Sequence, residues 1–545
     1  MHPHNLYAGR RPDFKELELK YPSLTPYVTH DEESGRAFID FSKNGALRTL
    51  TQVLLKEDWS YDVDLREDRL CPTLSSRVDY LMYMLDLEPY IPGKGKGKEK
   101  GNNDPRFPGH TWSTNSSSTI RVLDIGTGAS VIYPLLLHRL RPKAQIVATE
   151  INDISFQHAQ SILSTNNIQP SSISLLKAAP NEPILFPLMD QDITFDIMIC
   201  NPPFFASMDE MQEGSEAKAG PAHAAPTGAG NELITFGGEV TFIGRMIRES
   251  LKLGERCMWY TSLIGKYSSL QPLVDLLCEN QVENYFIRSI KPAKTVRWIL
   301  AWSHSPSRLP DRITRPDDLS PGTSYTRLFP PPNTLSHTPS NPPMTLLELH
   351  SKIFPIIQSI QLSPPPIGIS NPISEWTDEN TILLTPYLNT WSRAARRQAA
   401  RGELLINDIE QNKEPIMRLL LRFVSPAPPQ NEMERKVRGN DEWTGASLEL
   451  EYVWGRDRAA VDSLWKFLLT KAGLLGTQEA PITNRAPQAQ NEEDIVNGTT
   501  SEITSIAEGG GQEMNKRARI LGRGRTRDFR GRIIGDRNRA RGRGI

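Results

Sequence analysis

The stretch IRVLDIGTGASVIYPLLLHRLRPKAQIVATE, residues 120–150, decides the fold of this chain. It begins with the apolar run IRVLDIG, which is typical of a buried strand, continues with YPLLLHRLR, which predicts a helix, and ends with the strand-like QIVATE. A strand, a helix and a second strand at this spacing predict a right-handed crossover between parallel strands. The glycine-rich turn after the first strand lets a ligand approach the backbone closely.

The same alternation continues to about residue 304. Helices are predicted by SFQHAQSILSTNN, EVTFIGRMIRESLKLG and LQPLVDLLCENQ, and strands by SISLLKA, FDIMIC, RCMWYTSLI, NYFIRSI and TVRWILAWS. Strands that alternate with helices predict an α/β fold with a mostly parallel, doubly wound sheet. Ligands of such sheets bind at the carboxyl ends of the strands, beside the point where the strand order reverses.

The remainder of the chain divides by composition. A length of 545 residues exceeds one typical domain, and 43 prolines with 37 glycines indicate flexible segments. We expect an N-terminal helical module at 1–92, a low-complexity insertion at 93–119, the α/β domain at 120–304, a Pro/Ser-rich linker at 305–345, a small α+β domain at 346–473, a disordered segment at 474–515 and an Arg/Gly-rich basic tail at 516–545.

Charge and composition exclude several classes of protein. The net charge of −1 hides a basic terminus, because residues 516–545 contain one Lys, eleven Arg and two Asp. Such a block usually stays disordered and often binds nucleic acid. No run of about 18 apolar residues predicts a membrane span, and the first residues lack the apolar core of a secretory signal. Four scattered cysteines without CxxC spacing favour a reducing compartment and no structural zinc.

Two more features lie at predicted strand ends. Glu150 closes the second strand about 20 residues after the glycines, where a carboxylate can bind the ribose hydroxyls of an adenosine cofactor. The apolar run FDIMIC is followed directly by NPPFFAS, in which Pro202 and Pro203 end the strand because they donate no ladder hydrogen bond. Two aromatic rings, Phe204 and Phe205, therefore follow in a loop. They could either pack against the protein or hold a flat ligand.

The glycine turn alone leaves a nucleotide or flavin fold open. Ser130 replaces the third glycine of a dinucleotide fingerprint, and no GxxxxGK[ST] phosphate loop is present, which counts against a nucleoside triphosphatase. A zinc deaminase, which also acts on a base amine, is excluded by the missing HxE and PCxxC motifs.

VLDIGTGAS, ATE and CNPPFF together resemble class I S-adenosylmethionine-dependent methyltransferases of the amino-methylating type. Over about residues 10–304, DIGTGASVIYPLL, CNPPFFAS, GGEVTFIGRMIRESLKL and VRWILAWS resemble the methyltransferase-like protein 16 family, which is related to the bacterial enzyme that methylates an adenine in 23S ribosomal RNA. The resemblance implies a Rossmann-like α/β methyltransferase fold, S-adenosylmethionine as cofactor and N6-methylation of an adenosine in structured RNA. U6 small nuclear RNA is the favoured substrate, and the nucleus the expected compartment, with the cytoplasm as a second one.

The resemblance also implies roles for individual residues. The residues implied in cofactor binding are Arg77, Asp124, Gly126, Gly128, Ser130, Glu150 and Asn201. Those implied in catalysis are Asn201, Pro202, Pro203 and Phe204. Those implied in RNA binding are Phe205, Lys294 and Arg297. The carbonyl oxygens of Asn201 and Pro202 can accept the two N–H hydrogens of the adenine amine, and Phe204 can stack on the base. The enzyme then mainly positions its reactants, and the adenine must be single-stranded or flipped out of its stack.

Simpler roles compete with some of these assignments. An aspartate at the position of Asp124 more often organises the glycine loop than touches a ligand. For Arg77, the alternative is a solvated arginine at the start of a helix. Trp298 and Trp302 are expected in the core. A helix in the domain at 346–473 carries several arginines in WSRAARRQAARGELL, which suits either RNA binding or a solvated surface.

Two departures from the family pattern stand out. The family has a lysine, linked to restraining cofactor binding, in the loop before FDIMIC, whereas this chain has NEPILFP there, with Glu182 near that position. The insertion at 93–119 is absent from shorter relatives. The Gly/Ala-rich stretch 208–236 is expected to be a mobile loop over the substrate side.

Two other functions remain open from the sequence. Protein glutamine N5-methyltransferases share an Asn-Pro-Pro loop but usually have Tyr after the prolines, so Phe204 and the basic tail favour RNA. A non-catalytic RNA-binding protein on a methyltransferase fold is the third reading. The oligomeric state stays open.

Overall fold

The computed structural model describes residues 1–10, 12–92, 119–190, 192–207, 209–210, 234–291, 296–315, 327–360, 374–401, 414–425 and 445–475. These residues belong to one compact unit, Met1–Thr477, whereas a second unit, Gln478–Ile545, lies outside the described residues. The basic tail therefore lies outside them, as do Lys294, nearly all of the insertion at 93–119, most of the segment at 474–515 and most of the stretch 208–236.

The N-terminal module is mainly helical, as the sequence predicts, with a small hairpin in addition. Its elements are α1 (Phe14–Lys20), β1 (Val28–His30), β2 (Ala37–Ile39), α2 (Ala46–Trp59) and α3 (Leu74–Leu85). β1 and β2 pair in antiparallel orientation. Most of α3 is buried because it packs against the α/β domain, and the partly accessible residues are Met82 and residues 75–77 of the first turn. This first turn carries Arg77.

The α/β domain contains a seven-stranded sheet. Its strands and helices are β3 (Arg121–Ile125), α4 (Ile132–Leu140), β4 (Gln145–Glu150), α5 (Asp153–Thr165), β5 (Ile173–Lys177), β6 (Phe195–Cys200), α6 (Gly238–Leu253), β7 (Cys257–Ile264), α7 (Leu270–Glu279), β8 (Tyr285–Ile290) and β9 (Arg297–Trp302). The strand order is β5-β4-β3-β6-β7-β9-β8. The predicted α/β class and doubly wound sheet are thereby confirmed.

β3 to β7 all run parallel to one another, whereas β9 runs antiparallel to both of its neighbours, β7 and β8. Starting from β3, the chain adds β4 and β5 on one side and then returns to add β6 and β7 on the other. The strand order therefore reverses between β3 and β6, and their carboxyl ends form the switch point at which ligands of such sheets bind.

The two faces of the sheet bury two hydrophobic clusters. Side chains of α3, α4 and α5 cover one face, and side chains of α6 and α7 cover the other. Alternation along β7 sends Trp259 to the first cluster and Tyr260 to the second. Trp298 and Trp302 are buried in the second cluster, so their predicted place in the core is confirmed.

A second, antiparallel sheet follows in the chain. Its region contains α8 (Asp311–Thr314), β10 (Thr334–His337), α9 (Leu346–Ile360), β11 (Ser374–Asp378), β12 (Thr381–Leu384), α10 (Arg393–Ala400), β13 (Met417–Val424), β14 (Ser447–Gly455) and α11 (Arg458–Lys471), with the strand order β10-β14-β13-β12-β11. β10 lies inside the range predicted as a linker. It forms a strand because its backbone pairs with β14, more than a hundred residues further along the chain. It lies at one edge of the sheet.

A buried arginine connects the two sheets. The Arg308 guanidinium lies over the Tyr452 ring, 4.9 Å from its centroid, and donates to the Gly455 carbonyl oxygen. Arg456 of the second sheet also reaches the Glu255 carboxylate at 2.7 Å. Since a buried guanidinium needs such partners, the second sheet is fastened to the α/β domain at this junction.

Candidate active site

The glycine turn lies at the switch point and is tied to the end of β4. Gly126 and Gly128 have φ angles of 71° and 68°, which residues with a side chain rarely adopt. The Gly126 N–H donates to the Thr149 hydroxyl at 3.2 Å, and the Gly128 N–H donates to the Glu150 carboxylate at 2.9 Å. The turn therefore exposes its backbone at the sheet edge while β4 holds it in place.

Glu150 is nearly buried, with 6% of its surface exposed. Its second carboxylate oxygen accepts the Asn152 N–H at 2.7 Å. Burial raises the pKa of Glu150, and the backbone N–H groups of Asn152 and Gly128 oppose that rise. Each oxygen of a carboxylate can accept two hydrogen bonds, so Glu150 retains capacity for the two hydroxyls of a ribose.

Asp124 lies at the end of β3 with 1% of its surface exposed. Neither of its carboxyl oxygens has a hydrogen-bond partner within the described part of the chain, where Thr149 and Glu150 rather than Asp124 hold the N–H groups of the two turn glycines. Burial raises the pKa of Asp124 to about 7; the nearby Thr127 hydroxyl opposes this rise, and the charge of Glu150 adds to it. Buried polar groups are normally hydrogen-bonded, so this carboxyl group suits a ligand that brings a donor.

Arg77 reaches the switch point from α3. Its Nη1 donates to the Tyr133 hydroxyl at 3.0 Å and to the Asn201 Oδ1 at 3.4 Å, and its guanidinium lies 5.4 Å from the centroid of the Tyr133 ring. The Nε is buried and has no hydrogen-bond partner among the described residues. Arg77 also lies close enough to Asp124 to lower that group's pKa. The site thus presents a cation and a carboxyl group with free hydrogen-bonding capacity.

The loop after β6 starts from a fixed point. The Tyr80 hydroxyl donates to Thr261 at 2.7 Å, and it accepts the N–H of Cys200, the last residue of β6, at 3.3 Å. Thr261 in turn donates to the Met198 carbonyl oxygen at 2.7 Å. Because this chain of hydrogen bonds is fully buried, the position of Asn201 is set by contacts from α3 and β7.

The two aromatic rings of the loop face basic side chains. The Arg297 guanidinium lies over the Phe204 ring, 5.5 Å from its centroid, and its Nη1 donates to the Gly265 carbonyl oxygen at 2.8 Å. The Lys266 ammonium lies 5.2 Å from the centroid of the Phe205 ring and pairs with Glu210. Arg297 is half-buried against the loop, so its guanidinium is already engaged within the protein.

Most of the predicted site residues converge on this edge of the sheet. Arg77 contacts Asn201, and the glycine turn contacts Glu150. Ser130 lies just after the turn and lines a small cleft together with Arg69 and His158. Lys294 lies outside the described residues.

Sequence reasoning missed the residues that support the site. Tyr80 and Tyr133 are hydroxyl-bearing side chains inside helical runs that are largely buried, and Gly265 follows directly on β7, whose carboxyl end lies at this edge. A polar group in a buried run and a glycine at a strand end are signals that could have identified them. Glu239, at the start of α6, carries no comparable signal.

The described residues contain neither a cluster suited to a metal ion nor a helix suited to crossing a membrane. No group of three or more His, Cys, Asp or Glu side chains within them is arranged to hold a metal ion. Nor is any helix of that part of the chain long and apolar enough to cross a membrane.

A family model described as RNA methyltransferase matches residues 1–101 and 107–306. RNA N(6)-adenosine-methyltransferase mettl16 of Danio rerio is 28% identical over 435 residues, which cover 76% of this chain and 82% of that protein. The U6 small nuclear RNA (adenine-(43)-N(6))-methyltransferase of Schizosaccharomyces pombe is 32% identical over 385 residues, which cover 70% of this chain and 88% of that protein.

Other comparisons cover less of the chain. It spans only about half the length of further curated vertebrate relatives, 52% of the one from Xenopus laevis and 50% of the one from Homo sapiens. Among solved structures, the hMettl16 catalytic domain in complex with MAT2A 3'UTR hairpin 1 is 32% identical, with a TM-score of 0.47. That match covers 56% of this chain and 95% of the other.

Proposed function

This chain belongs to the RNA methyltransferase family, and we propose that it transfers a methyl group from S-adenosylmethionine to the exocyclic amine of an adenosine in structured RNA. The product is N6-methyladenosine. The observation that carries the proposal is the meeting of the Asn-Pro-Pro-Phe loop with Arg77, Asp124 and Glu150 at one switch point. The printed activity of the fission-yeast relative makes U6 small nuclear RNA the first substrate to test, with the nucleus as the compartment of action.

The charges of the site fit the cofactor. Arg77 would bind the carboxylate of its methionine portion, and Asp124, whose oxygens lack partners among the described residues, would accept from its ammonium group. Glu150 would bind the ribose hydroxyls. Gly126, Gly128 and Ser130 would line the approach along the backbone of the turn. When bound, S-adenosylmethionine supplies an electrophilic methyl group on a positively charged sulfur.

The loop after β6 would orient the base. The adenine amine is a poor nucleophile because its lone pair is delocalised into the ring. The Asn201 Oδ1 already accepts a long hydrogen bond from Arg77 and keeps capacity for a second donor. Together with the Pro202 carbonyl oxygen it would accept the two amine hydrogens, so that the nitrogen lone pair points away from both acceptors. Pro202 and Pro203 restrict the loop to one shape, and Phe204 would stack on the base.

RNA binding beyond the base would use basic and aromatic groups. We assign Phe205, Lys294 and Arg297 to this role, together with the N-terminal module and the Arg/Gly-rich tail. Lysine and arginine side chains bind phosphates and make affinity depend on salt. Arg297 already lies over the Phe204 ring. It would therefore support RNA binding in two ways, by holding the ring that stacks on the base and by its own positive charge.

Transfer of labelled methyl from S-adenosylmethionine to a U6 RNA transcript tests this function. An unrelated RNA and a peptide release factor serve as parallel acceptors, and nucleoside digestion identifies the product. N6-methyladenosine in the U6 transcript alone is the expected result. Label on glutamine of the release factor would instead show a protein methyltransferase. Cofactor binding without transfer to U6 RNA would refute U6 as the substrate.

A further inference from the structure

A buried glutamate on α6 holds the loop that follows β7. Only 2% of the Glu239 surface is exposed. Its Oε2 accepts the Gly265 N–H at 2.7 Å, and its Oε1 accepts both the Lys266 N–H at 2.9 Å and the Ser269 hydroxyl at 2.6 Å. Hydrogen bonds to a charged acceptor are stronger than neutral ones. The backbone of residues 265–269, which we name the support loop, is therefore fixed relative to α6.

The support loop contacts the Phe204 ring, which we name the clamp ring, at Gly265. A Cβ atom on Gly265 would lie 2.7 Å from Phe204 Cδ1 and 3.2 Å from Phe204 Cε1. A separation of 2.7 Å is shorter than real Cβ contacts, so any larger residue would displace the ring or the loop. The glycine is required here because the Phe204 ring occupies the place of its side chain.

Arg297 holds the ring from a second direction. Its guanidinium lies over the ring, and its Nη1 donates to the Gly265 carbonyl oxygen. The negative charge of Glu239 raises the pKa of Arg297 against the larger lowering caused by burial. Because Arg297 lies over one face of the Phe204 ring, a base that stacks on this ring would use the opposite face.

The start of α6 completes the support. A Cβ on Gly238 would lie 3.5 Å from the Ala206 N and 3.8 Å from the Phe204 carbonyl oxygen. The start of α6 therefore packs against the backbone of residues 201–207, which we name the clamp loop. The neighbouring Glu239 carries the carboxylate described above. The same turn of α6 thus contacts the clamp backbone directly and the clamp ring through the support loop.

We propose that Glu239 and Gly265 are positioning residues for methyl transfer. Glu239 fixes the support loop, the support loop and Arg297 fix the Phe204 ring, and the face of that ring opposite Arg297 would set the plane of the target adenine. Neither residue needs to touch substrate or cofactor in this arrangement. The last step rests on the proposed function, whereas the fixed position of the ring does not.

Two substitutions in the full chain test the proposal. Gly265→Ala inserts a methyl group into the space of the Phe204 ring. Glu239→Gln keeps the shape of the side chain but replaces one acceptor oxygen with an NH2 group, which cannot accept all three hydrogen bonds. The second variant keeps the test valid if the first does not fold, as thermal melting will show.

α6 itself provides matched controls. A Cβ on Gly244 would make only ordinary contacts, 3.4 Å from Arg248 Nη1 and 3.6 Å from Leu276 Cδ2, so Gly244→Ala should be tolerated. Glu249→Gln alters a carboxylate of the same helix that accepts the Leu185 N–H at 2.9 Å, away from the clamp. Both controls should leave the Phe204 ring in place.

The first readout reports the ring directly and needs no substrate. 4-Fluorophenylalanine at position 204 gives one fluorine resonance in the full chain. We expect Gly265→Ala and Glu239→Gln to shift or broaden this resonance and both controls to leave it unchanged. A resonance that is the same in all five proteins would overturn the proposal.

The second readout separates transfer from binding. Under single-turnover conditions with U6 transcript, both test variants should lose about 10- to 100-fold in methyl-transfer rate, because small misplacements of reacting groups have effects of this size. Their affinity for S-adenosylmethionine, measured by calorimetry, should stay within about twofold of wild type. A shifted resonance with an unchanged transfer rate would refute the positioning role. A wild-type chain that transfers no methyl group would refute the proposed function, and the fluorine resonance would then still decide whether the ring is held as described.

Discussion

Cofactor affinity should fall as the pH drops through 7, because protonation of Asp124 competes with the ammonium group of the cofactor. Burial raises the pKa of this carboxyl group to about 7. Below that pH the group is neutral and cannot attract a cation. Above it the group is ionised, and the bound ammonium stabilises that form. The affinity is therefore nearly complete at about pH 8 and is lost progressively as the pH falls through 7.

The size of the effect follows from the titration. A carboxyl group with a pKa of about 7 is roughly 90% ionised at pH 8 and about 10% ionised at pH 6. If only the ionised form binds the ligand well, the dissociation constant rises about tenfold over this interval. This corresponds to about 1.4 kcal/mol of binding free energy.

Calorimetric titration at pH 6, 7 and 8 measures the effect. S-Adenosylhomocysteine is the ligand of choice because it keeps the amino-acid portion without the sulfonium charge. 5′-Methylthioadenosine lacks that portion but keeps the ribose, so it isolates the contribution of Glu150, whose pKa is also raised by burial. Asp124→Asn removes the titrating group and should give equal affinities at all three pH values.

Three results would contradict this reasoning. Wild-type affinity for S-adenosylhomocysteine that is unchanged between pH 6 and pH 8 would mean that Asp124 does not face the ammonium group. A tenfold loss that persists in Asp124→Asn would assign the titration to another residue. An equal loss with 5′-methylthioadenosine would point to Glu150.

Three further predictions concern the clamp loop, its anchor and the tail. Asn201→Ala should abolish methyl transfer while calorimetry finds cofactor affinity within a few-fold of wild type; retained transfer would show that another acceptor orients the amine. Tyr80→Phe removes a buried hydroxyl that is bonded to Thr261 and Cys200 and should lower the free energy of unfolding by about 1–3 kcal/mol in urea titrations, whereas an unchanged midpoint would contradict the anchor. Deletion of residues 516–545 should weaken RNA binding and flatten its dependence on salt, and an unchanged salt slope would show that the tail takes no part.

The order of elements in the α/β domain could be predicted because each strand is a short apolar run bounded by turn residues. The direction of β9 could not, since an apolar run such as TVRWILAWS reads the same for either orientation. β10 was missed for a different reason. Its four residues, TLSH, carry little apolar signal of their own, and they form a strand only through pairing with β14.

The site shows the same division. Glu150, Asn201 and the glycines stand at predicted strand ends, where local sequence is sufficient to place them at the same edge of a parallel sheet. The contact between Arg77 and Asn201 joins residues 124 positions apart, and that between Tyr80 and Thr261 joins residues 181 positions apart. Such contacts depend on how α3 packs against the sheet, which no local pattern describes.

The loop after β6 receives support from two sides, and the two supports serve different ligands. From the N-terminal module, α3 provides Arg77 for the cofactor side and Tyr80 for the end of β6. From the opposite face of the sheet, α6 and the support loop hold the Phe204 ring that would meet the base. Substitutions in α3 should therefore change cofactor affinity together with stability, whereas substitutions at Glu239 or Gly265 should lower the transfer rate and leave cofactor affinity near that of wild type. Since the two supports approach β6 from different faces, the α/β domain can hold its donor and its acceptor with separate sets of side chains.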